Sequence, residues 1–558
     1  MKKTHLIKAI SFRARRTLDC LKEDGLWATA YKIAMVCKRN RQLRNLKATL
    51  GLTEEQRKRQ ESFETKTVLF SIIVPVYNVS LLYLKEMIQS LQEQTYARWE
   101  LCIADGSDSE QAGEICSYCL QLQEKDARIR YRKLEKNEGI SVNSNAALEI
   151  ATGDYIGLLD HDDKLHPTAL YEMMQVICRE NADFIYSDEV VFDSATGKLV
   201  SVHYKSDFAP DTLLANNYIC HFTVFRKELL EKAGTFRTAF DGSQDHDLFL
   251  RLTKEANKIY HIPKILYFWR SHPASVASDI SAKPYAAIAG CNAVKEAVTA
   301  NGLNAEVESV ECCPTIYRIQ YALAEKPLVS IVVLEKEKED TDACVKSIGL
   351  STYDNYEIQV VKTESDSIEE MDAAIRQVNG TYVVVLRNDV TVITPEWIEE
   401  MLMYAQRQDV GLVGAKEYYH NRTVYHAGII LKKDKWGCLK YAHRGVPKEN
   451  DGYMGRLRYA QNVSAVSDTC FMLRKDLYES FAGIRKDLYD MAVAELCLRV
   501  QKKGYWVVFT PFAELVHNRK KKKDNRKSAD SKSANEIFIR CLEEQGFEKD
   551  PFFGQNFV

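Results

Sequence analysis

The sequence predicts an α/β protein built from two tandem copies of one mostly parallel-sheet domain, preceded by a helical extension. Three observations predict it. Apolar, β-branched runs alternate with segments of helical spacing, as strands joined by crossover helices require. A succession of short motifs occurs twice in the same order. The 558 residues, 46% of them hydrophobic, are too many for one ordinary core.

The extension and its linker span residues 1–66. Residues 1–50 hold 13 Lys and Arg against 3 Asp and Glu, with Leu21, Ala28, Ile33 and Val36 at helical spacing among Arg13, Arg15, Arg16, Lys38, Arg39, Arg41 and Arg44. Two readings stand: a basic amphipathic surface that rests on anionic lipid, or a helix docked on its own domain with a solvated basic face. Thr53 to Thr67 is polar and reads as linker.

The first domain is expected over 67–280. Val68–Val76 is a buried parallel strand ended by Pro75 and Asn78. Leu84, Ile88 and Leu91 mark a helix, and Glu100–Ala104 a second strand that stops at Asp105-Gly106-Ser107. A helix through Ile115 and Cys119, a strand near Ile129–Leu134, a helix from Ser141 and the strand Tyr155–Asp160 follow. A helical connector is expected over 281–326, a second domain over 327–520 and a polar tail over 521–558, in which Ala534–Gln545 has helical character before a loose, aromatic end.

The repeat supports this division. Ser71-Ile72-Ile73-Val74 is echoed by Ser330-Ile331-Val332-Val333, and Gly153-Asp154-Tyr155 by Gly380-Thr381-Tyr382. Phe225-Arg226-Lys227 is echoed by Leu473-Arg474-Lys475, and Leu250-Arg251-Leu252 by Leu498-Arg499-Val500.

Composition narrows the classes. A net charge of −2 does not point to nucleic acid. No apolar run reaches the ~20 residues that span a bilayer, and no signal-peptide core follows Met1. The expected location is the cytoplasm, soluble or peripheral at the inner face of the membrane. The 15 cysteines are scattered; Cys116 and Cys119 form a CxxC pair without a second ligand pair, which favours core packing over zinc.

Chemistry concentrates in the first copy. Asp160-His161-Asp162-Asp163 ends an apolar strand, where open α/β sheets bind ligands. Carboxylates packed this closely repel unless a cation neutralises them, and a hard divalent ion shared with phosphate oxygens fits; a solvated acidic turn is the plain alternative. Asp105 is suited to accept hydrogen bonds from a nucleoside, and reads equally as a turn former, as do Asn137 and Gly139. Asp245, in Gly242-Ser243-Gln244-Asp245-His246-Asp247, opens a small helix whose positive end keeps it ionised and able to accept a proton; a simple N-cap is compatible. Further on, His272 is placed to complete a metal shell or touch a diphosphate, and Arg270 to bind diphosphate or pair with a carboxylate.

These motifs together resemble family 2 inverting glycosyltransferases. The resemblance rests on Ser71 to Asn78, the Asp105-Gly106-Ser107 turn, Asn137 to Ser141, and Gly153 through Asp163. The Gly242–Leu252 and His261–His272 stretches are similar to the branch that builds bacterial surface polysaccharides, including rhamnose-containing ones. The resemblance implies a GT-A nucleotide-diphospho-sugar fold in both copies, with donor contacts at Pro75, Tyr77, Asn78, Asp105 and neighbouring Asn137, Gly139, Asp160 and Arg270. It implies Mn2+ or Mg2+ at Asp160 and Asp162, with His272 as a further ligand, and Asp245 as the base. Its expected partners are a nucleotide-diphosphate-sugar and a glycan or lipid-linked glycan acceptor. Gln244 departs from the Glu many members carry there.

Residues 327–520 also resemble the family, through Thr394-Pro395-Glu396-Trp397 and Tyr425-His426-Ala427-Gly428, yet the chemistry is missing. Leu334-Glu335-Lys336-Glu337 and Lys362-Thr363-Glu364 replace the first two turns, only Asp389 remains of the acidic cluster since Arg387 stands at the place of Asp160, and Val493 stands at that of Asp245. The second copy is expected to have lost catalysis. A non-catalytic nucleotide-sugar-binding scaffold is the alternative for the whole chain. A nucleotidyltransferase is disfavoured, because Pro75 to Asn78 has neither glycine nor basic residue.

Overall fold

A computed structural model of the chain describes residues 33–47, 50–62, 68–272, 284–336, 338–363, 368–434, 437–518 and 529–554. The candidate residues Leu21, Ala28, Arg13, Arg15, Arg16, Glu337 and Glu364 lie outside the described residues.

The first domain carries β1 (Phe70–Val76), β2 (Trp99–Asp105), β3 (Ile129–Lys133), β4 (Tyr155–Leu158), β5 (Lys164–Leu165), β6 (Phe184–Asp193), β7 (Leu199–His203), β8 (Thr223–Arg226) and β9 (Ile259–Ser271). They form one sheet in the order β3-β2-β1-β4-β8-β6-β9-β5, with β7 beside β6. β1, β2 and β4 are nearly wholly buried because helices cover both faces, which is why they read as continuous apolar runs.

The connector holds the helix Pro284–Ala300 and, against the expectation of helix alone, a hairpin of β10 (Ala305–Val310) and β11 (Cys313–Tyr321). The second domain carries β12 (Val329–Glu335), β13 (Tyr356–Lys362), β14 (Tyr382–Arg387), β15 (Val390–Val392), β16 (Val410–Tyr418), β17 (Val424–His426), β18 (Ile429–Asp434), β19 (Gly437–Tyr441), β20 (Gln461–Asn462), β21 (Cys470–Arg474) and β22 (Trp506–His517). Its main sheet runs β13-β12-β14-β21-β16-β22-β15. That is the order of the first sheet without a counterpart of β3. The pairings agree in direction too: parallel for β1–β2, β1–β4 and β6–β9 as for β12–β13, β12–β14 and β16–β22.

The sequence echoes now have physical causes. Ser71 Oγ donates to Glu100 Oε1 at 2.6 Å and accepts the Gly153 N–H at 2.7 Å. Ser330 Oγ donates to Glu357 Oε1 at 2.7 Å and accepts the Gly380 N–H at 2.8 Å. A Cβ on Gly153 would stand 2.5 Å from the Leu69 carbonyl, and one on Gly380 2.5 Å from Ser330 Oγ, so only glycine fits either turn. Lys227 and Lys475 likewise each donate to a carbonyl before that turn, of Ala151 at 2.7 Å and Val378 at 2.6 Å.

Two expectations need correction. Half of the stretch read as linker is the helix Glu54–Glu61, started by a capping box between Thr53 and Gln56. The helical stretch expected at Ala534–Gln545 is the helix Ala529–Glu544, but the aromatic end after it is not loose: Phe552 and Phe553, with Phe538 and Leu542 of the helix, are buried in the second domain's core. Aromatic residues spaced through a polar segment outweigh its charge once they find a groove, each burying apolar area worth ~25 cal/mol per Å². Asp550 fixes this end by accepting the N–H groups of Leu431, Phe552 and Phe553.

The domains meet through buried polar contacts. Arg407 pairs with Asp211 and is 7% exposed; Asn462 Nδ2 donates to Asp211 Oδ2 at 2.8 Å, and the Asp207 N–H donates to the Pro551 carbonyl at 2.7 Å. No helix among the described residues is long and apolar enough to cross a membrane.

Candidate active site

The carboxyl ends of β1 and β4 and the first turn of the helix Gln244–Glu255 open onto one cleft of about 1300 Å³. Pro75, Tyr77, Asn78, Asn137, Gly139, Asp160, Asp162, Asp245 and His272 all line it. Residues far apart in sequence, and weak signals one by one, therefore meet in one place.

The turns that shape the cleft interlock. Asn78 adopts a left-handed backbone, φ 47°, and its side chain donates to Asp108 Oδ1 at 2.9 Å while accepting the N–H groups of Asp108 and Ser109. Asn137 Oδ1 accepts from Gly139 N at 3.2 Å and Asn143 Nδ2 at 3.0 Å. Gly139 has φ 102°, and a Cβ there would stand 2.5 Å from Asp241 Oδ2. These are turn formers that also line the cleft, so both readings of them hold.

Asp162 Oδ2 lies 2.9 Å from His272 Nε2. Asp160 points elsewhere, 3.5 Å from His221 Nε2. Among the described residues, only Cys312, Cys313 and Asp451 bring three candidate ligand atoms within 4.8 Å of one another, so Asp160 does not close on the Asp162–His272 pair. Loss of water and the neighbouring Asp162 raise the Asp160 carboxyl above its ordinary value, against the pull of His221. Asp163 is raised further by burial and by Asp160 and Asp162; it faces inward, accepting from Tyr267 Oη at 2.6 Å and the Arg270 N–H at 2.6 Å.

Two expected donor contacts stand outside the lining. Arg270 is buried, held between the rings of Tyr83 and Phe192, and donates to Glu86 at 2.6 Å and to the Asp162 carbonyl at 2.5 Å. It orders the Asp162 loop from behind, because a buried guanidinium takes the nearest carboxylate and carbonyl. Asp105 is fully buried; it accepts the Ser107 N–H at 2.8 Å and Tyr131 Oη at 2.7 Å, which fixes the turn after β2.

Asp245 sits in the first turn of its helix, and Asn217 Nδ2 donates to it at 2.8 Å. It is not the cap, which is Ser243. Its neighbours serve structure: His246 is buried against Tyr317, and Asp247 pairs with Arg237 and Arg251.

Sequence reasoning missed a charged group behind Asp160. Glu189 is fully buried on β6 and meets His203 Nδ1 at 2.6 Å, Lys205 Nζ at 3.1 Å and His221 Nδ1 at 3.4 Å. Burial opposes its ionisation, but Lys205 and His203 hold it well below the usual carboxylate range. Burial would likewise lower His221, yet its bond to Glu189 and the field of Asp160 hold it up at about 9. Its ring stacks on Tyr267 at 4.7 Å. The signal available was the adjacent acids Asp188 and Glu189 between apolar halves of one strand, which argues for buried partners.

Comparison with known proteins agrees with this reading of the fold. Residues 71–234 match the family model "Glycosyl transferase family 2", and residues 315–533 match "Glycosyltransferase like family 2". A Sinorhizobium fredii protein, "Uncharacterized protein y4gI", is 37% identical over 487 residues, covering 81% of this chain and 53% of that protein. The "O-antigen biosynthesis protein RfbC" of Myxococcus xanthus is 30% identical over 484 residues, covering 81% of this chain and 37% of that protein. "Chondroitin synthase" of Escherichia coli is 30% identical over 219 residues, 38% of this chain and 30% of that protein. The chain thus spans about half the length, or less, of these relatives. Among solved structures, S. aureus TarS 1–349 in complex with UDP is 20% identical with a TM-score of 0.32, covering 41% of this chain and 70% of that one. The chain belongs to glycosyltransferase family 2 and carries two domains of that family in tandem.

Proposed function

We propose that this chain transfers a sugar from a nucleotide-diphosphate-sugar onto a glycan or lipid-linked glycan, with inversion, in the synthesis of a cell-surface polysaccharide. The observation that carries the proposal is the shared cleft of Asp162 and Asp245. The name of the Myxococcus xanthus relative supports the polysaccharide setting.

The residues fit a divalent cation. Asp162 and His272 present a carboxylate and an imidazole 2.9 Å apart, with Asp160 on the same cleft and mutual repulsion among the acids that a cation relieves. Mn2+ or Mg2+ held there would neutralise the negative charge of a departing diphosphate. Asp245, held by Asn217, takes the proton of the acceptor hydroxyl, which then attacks the anomeric carbon from the opposite face. One such carboxylate suffices for a single displacement, so configuration inverts and no sugar is bonded to the protein.

The exposed Ile33, Met35 and Val36 on the helix over 33–47, beside Lys38, Arg39, Arg41 and Arg44, support a peripheral contact with anionic lipid. A thermal-shift screen of nucleotide-sugars with and without Mn2+ tests the donor reading: one nucleotide-sugar raises the melting temperature only with metal, and Asp162→Ala loses that rise. A rise that persists in chelator contradicts the metal assignment.

A further inference from the structure

The second domain reaches into the first domain's cleft through a single turn. Tyr453, Met454 and Arg456 from this turn, with Tyr459 just after, line the cleft. Tyr453 Oη accepts the Tyr204 N–H at 2.9 Å and donates to the Val202 carbonyl at 2.9 Å, so the turn is bonded to β7 and the residue after it. Gly452, Met454 and Gly455 have positive φ of 75°, 51° and 74°. A Cβ on Gly455 would stand 2.3 Å from Ile316 Cδ1, which shows how tightly the turn is pressed on the connector.

The four lining residues differ in one respect. Tyr459 is 1% exposed, Arg456 donates to the Phe552 carbonyl at 2.9 Å, and Tyr453 is held as described. Met454 alone is exposed, at 41%, although a non-glycine residue with left-handed backbone is uncommon. Such outliers cluster where a ligand is clamped. The connector adds Tyr285, 54% exposed, whose ring would stand 2.7 Å from a Cβ on Gly242, three residues before Asp245.

We propose that Met454 and Tyr285 form an acceptor subsite, receiving the sugar ring of a glycan whose hydroxyl is presented to Asp245. This rests on the transfer reaction proposed above. A pyranose has apolar C–H faces and a rim of hydroxyls. A polarisable thioether and a phenol face accept the first, while Asp245 and the Asn217 amide accept the second. The second domain then acts as half of the acceptor pocket, contributing shape and apolar surface without a reacting group.

The test uses the full chain with 13C-methyl methionine, its Met454 line assigned through Met454→Leu. With UDP and Mn2+ present, methyl glycosides of glucose, galactose, N-acetylglucosamine and rhamnose are titrated in turn. At least one should shift the Met454 line saturably. Met454→Asp and Tyr285→Ala should each weaken that glycoside about tenfold or more while UDP affinity stays within about twofold. A glycoside that saturates without moving the Met454 line overturns the subsite, as does failure of all four to bind. Where UDP does not bind the unaltered chain, the titration is run with GDP or TDP; failure of all three to bind overturns the donor reading instead, and the glycoside result then stands by itself.

Discussion

The two domains share one sheet order, yet they differ at most positions of the candidate site; of the acidic cluster the second keeps only Asp389, in the place of Asp162. In the common register Arg387 replaces Asp160, and the partner changes sign with it: Asp160 faces His221, whereas Arg387 pairs with Asp468. Glu189 and Glu417 are equivalent buried acids, each opposite a histidine across the strand pair, His203 and His426. Beside Glu189 stands Lys205; beside Glu417 stands His517 from β22. Between β2 and β4 the first domain has the helix Ala112–Lys125, β3, the Asn137–Gly139 turn and the helix Ile140–Glu149, while among the described residues the second has only the helix Ile368–Gln377 between β13 and β14. Val493, at the second position of its helix like Asp245, is buried in the same core as Phe538 and Leu542 of the C-terminal helix. The comparison teaches that a fold can keep its buried ion pairs, which specify packing, while replacing the groups that would face a substrate.

The largest effect expected from this contrast is on turnover. Asp245→Asn should lower transfer about 10²- to 10⁴-fold with donor affinity retained, measured as product release against donor titration. Near-normal turnover would place the base elsewhere. Next is the junction: Asp211→Ala takes from the Arg407 guanidinium its buried partner and leaves only the half-exposed Asp409, and should cost about 1–3 kcal/mol, read as a lower denaturation midpoint. A loss under about 1 kcal/mol would show that the pair is dispensable.

Acid stability supplies a further test, within the second domain. Burial and the nearby Arg456 depress His443 to about 3, so it stays neutral when folded. The unfolded chain binds this proton from about pH 6.5 downward, so stability is present above that value and is lost as pH falls toward about 3. The slope is about 1.4 kcal/mol per pH unit from this group. His443→Asn, which suits its φ of 56°, should flatten the acid limb of a stability curve; an unchanged limb would remove His443 as its cause. The smallest effect is at Asp389→Ala in the second domain, which should leave turnover within about twofold.

Much of the fold was legible because its signals are local: buried parallel strands read as apolar runs, and the Ser71–Gly153 device imposes the same residues on Ser330 and Gly380. The candidate site was legible where motifs end strands, at Asp160, Asp162 and Asp245. What stayed hidden depends on contacts distant in sequence. Arg270 read as a diphosphate ligand or a carboxylate partner, and only its contacts with Glu86 and the Asp162 carbonyl decide for the second; Asp105 read as a nucleoside acceptor or a turn former, and Ser107 and Tyr131 claim it for the turn. His221 and Lys205 gain meaning only from Glu189. Met454 and Tyr453 reach the cleft across a domain boundary that no periodicity reports. The missing helix–strand unit did leave a trace, the shorter interval from Ser330 to Gly380 than from Ser71 to Gly153.

One cation site is proposed for the chain, in the first domain. Counting bound Mn2+ by electron paramagnetic resonance with UDP present tests it directly. The account predicts one Mn2+ per chain, lost in Asp162→Ala and kept in Asp389→Ala. Two ions per chain, or loss of the ion in Asp389→Ala, would contradict it.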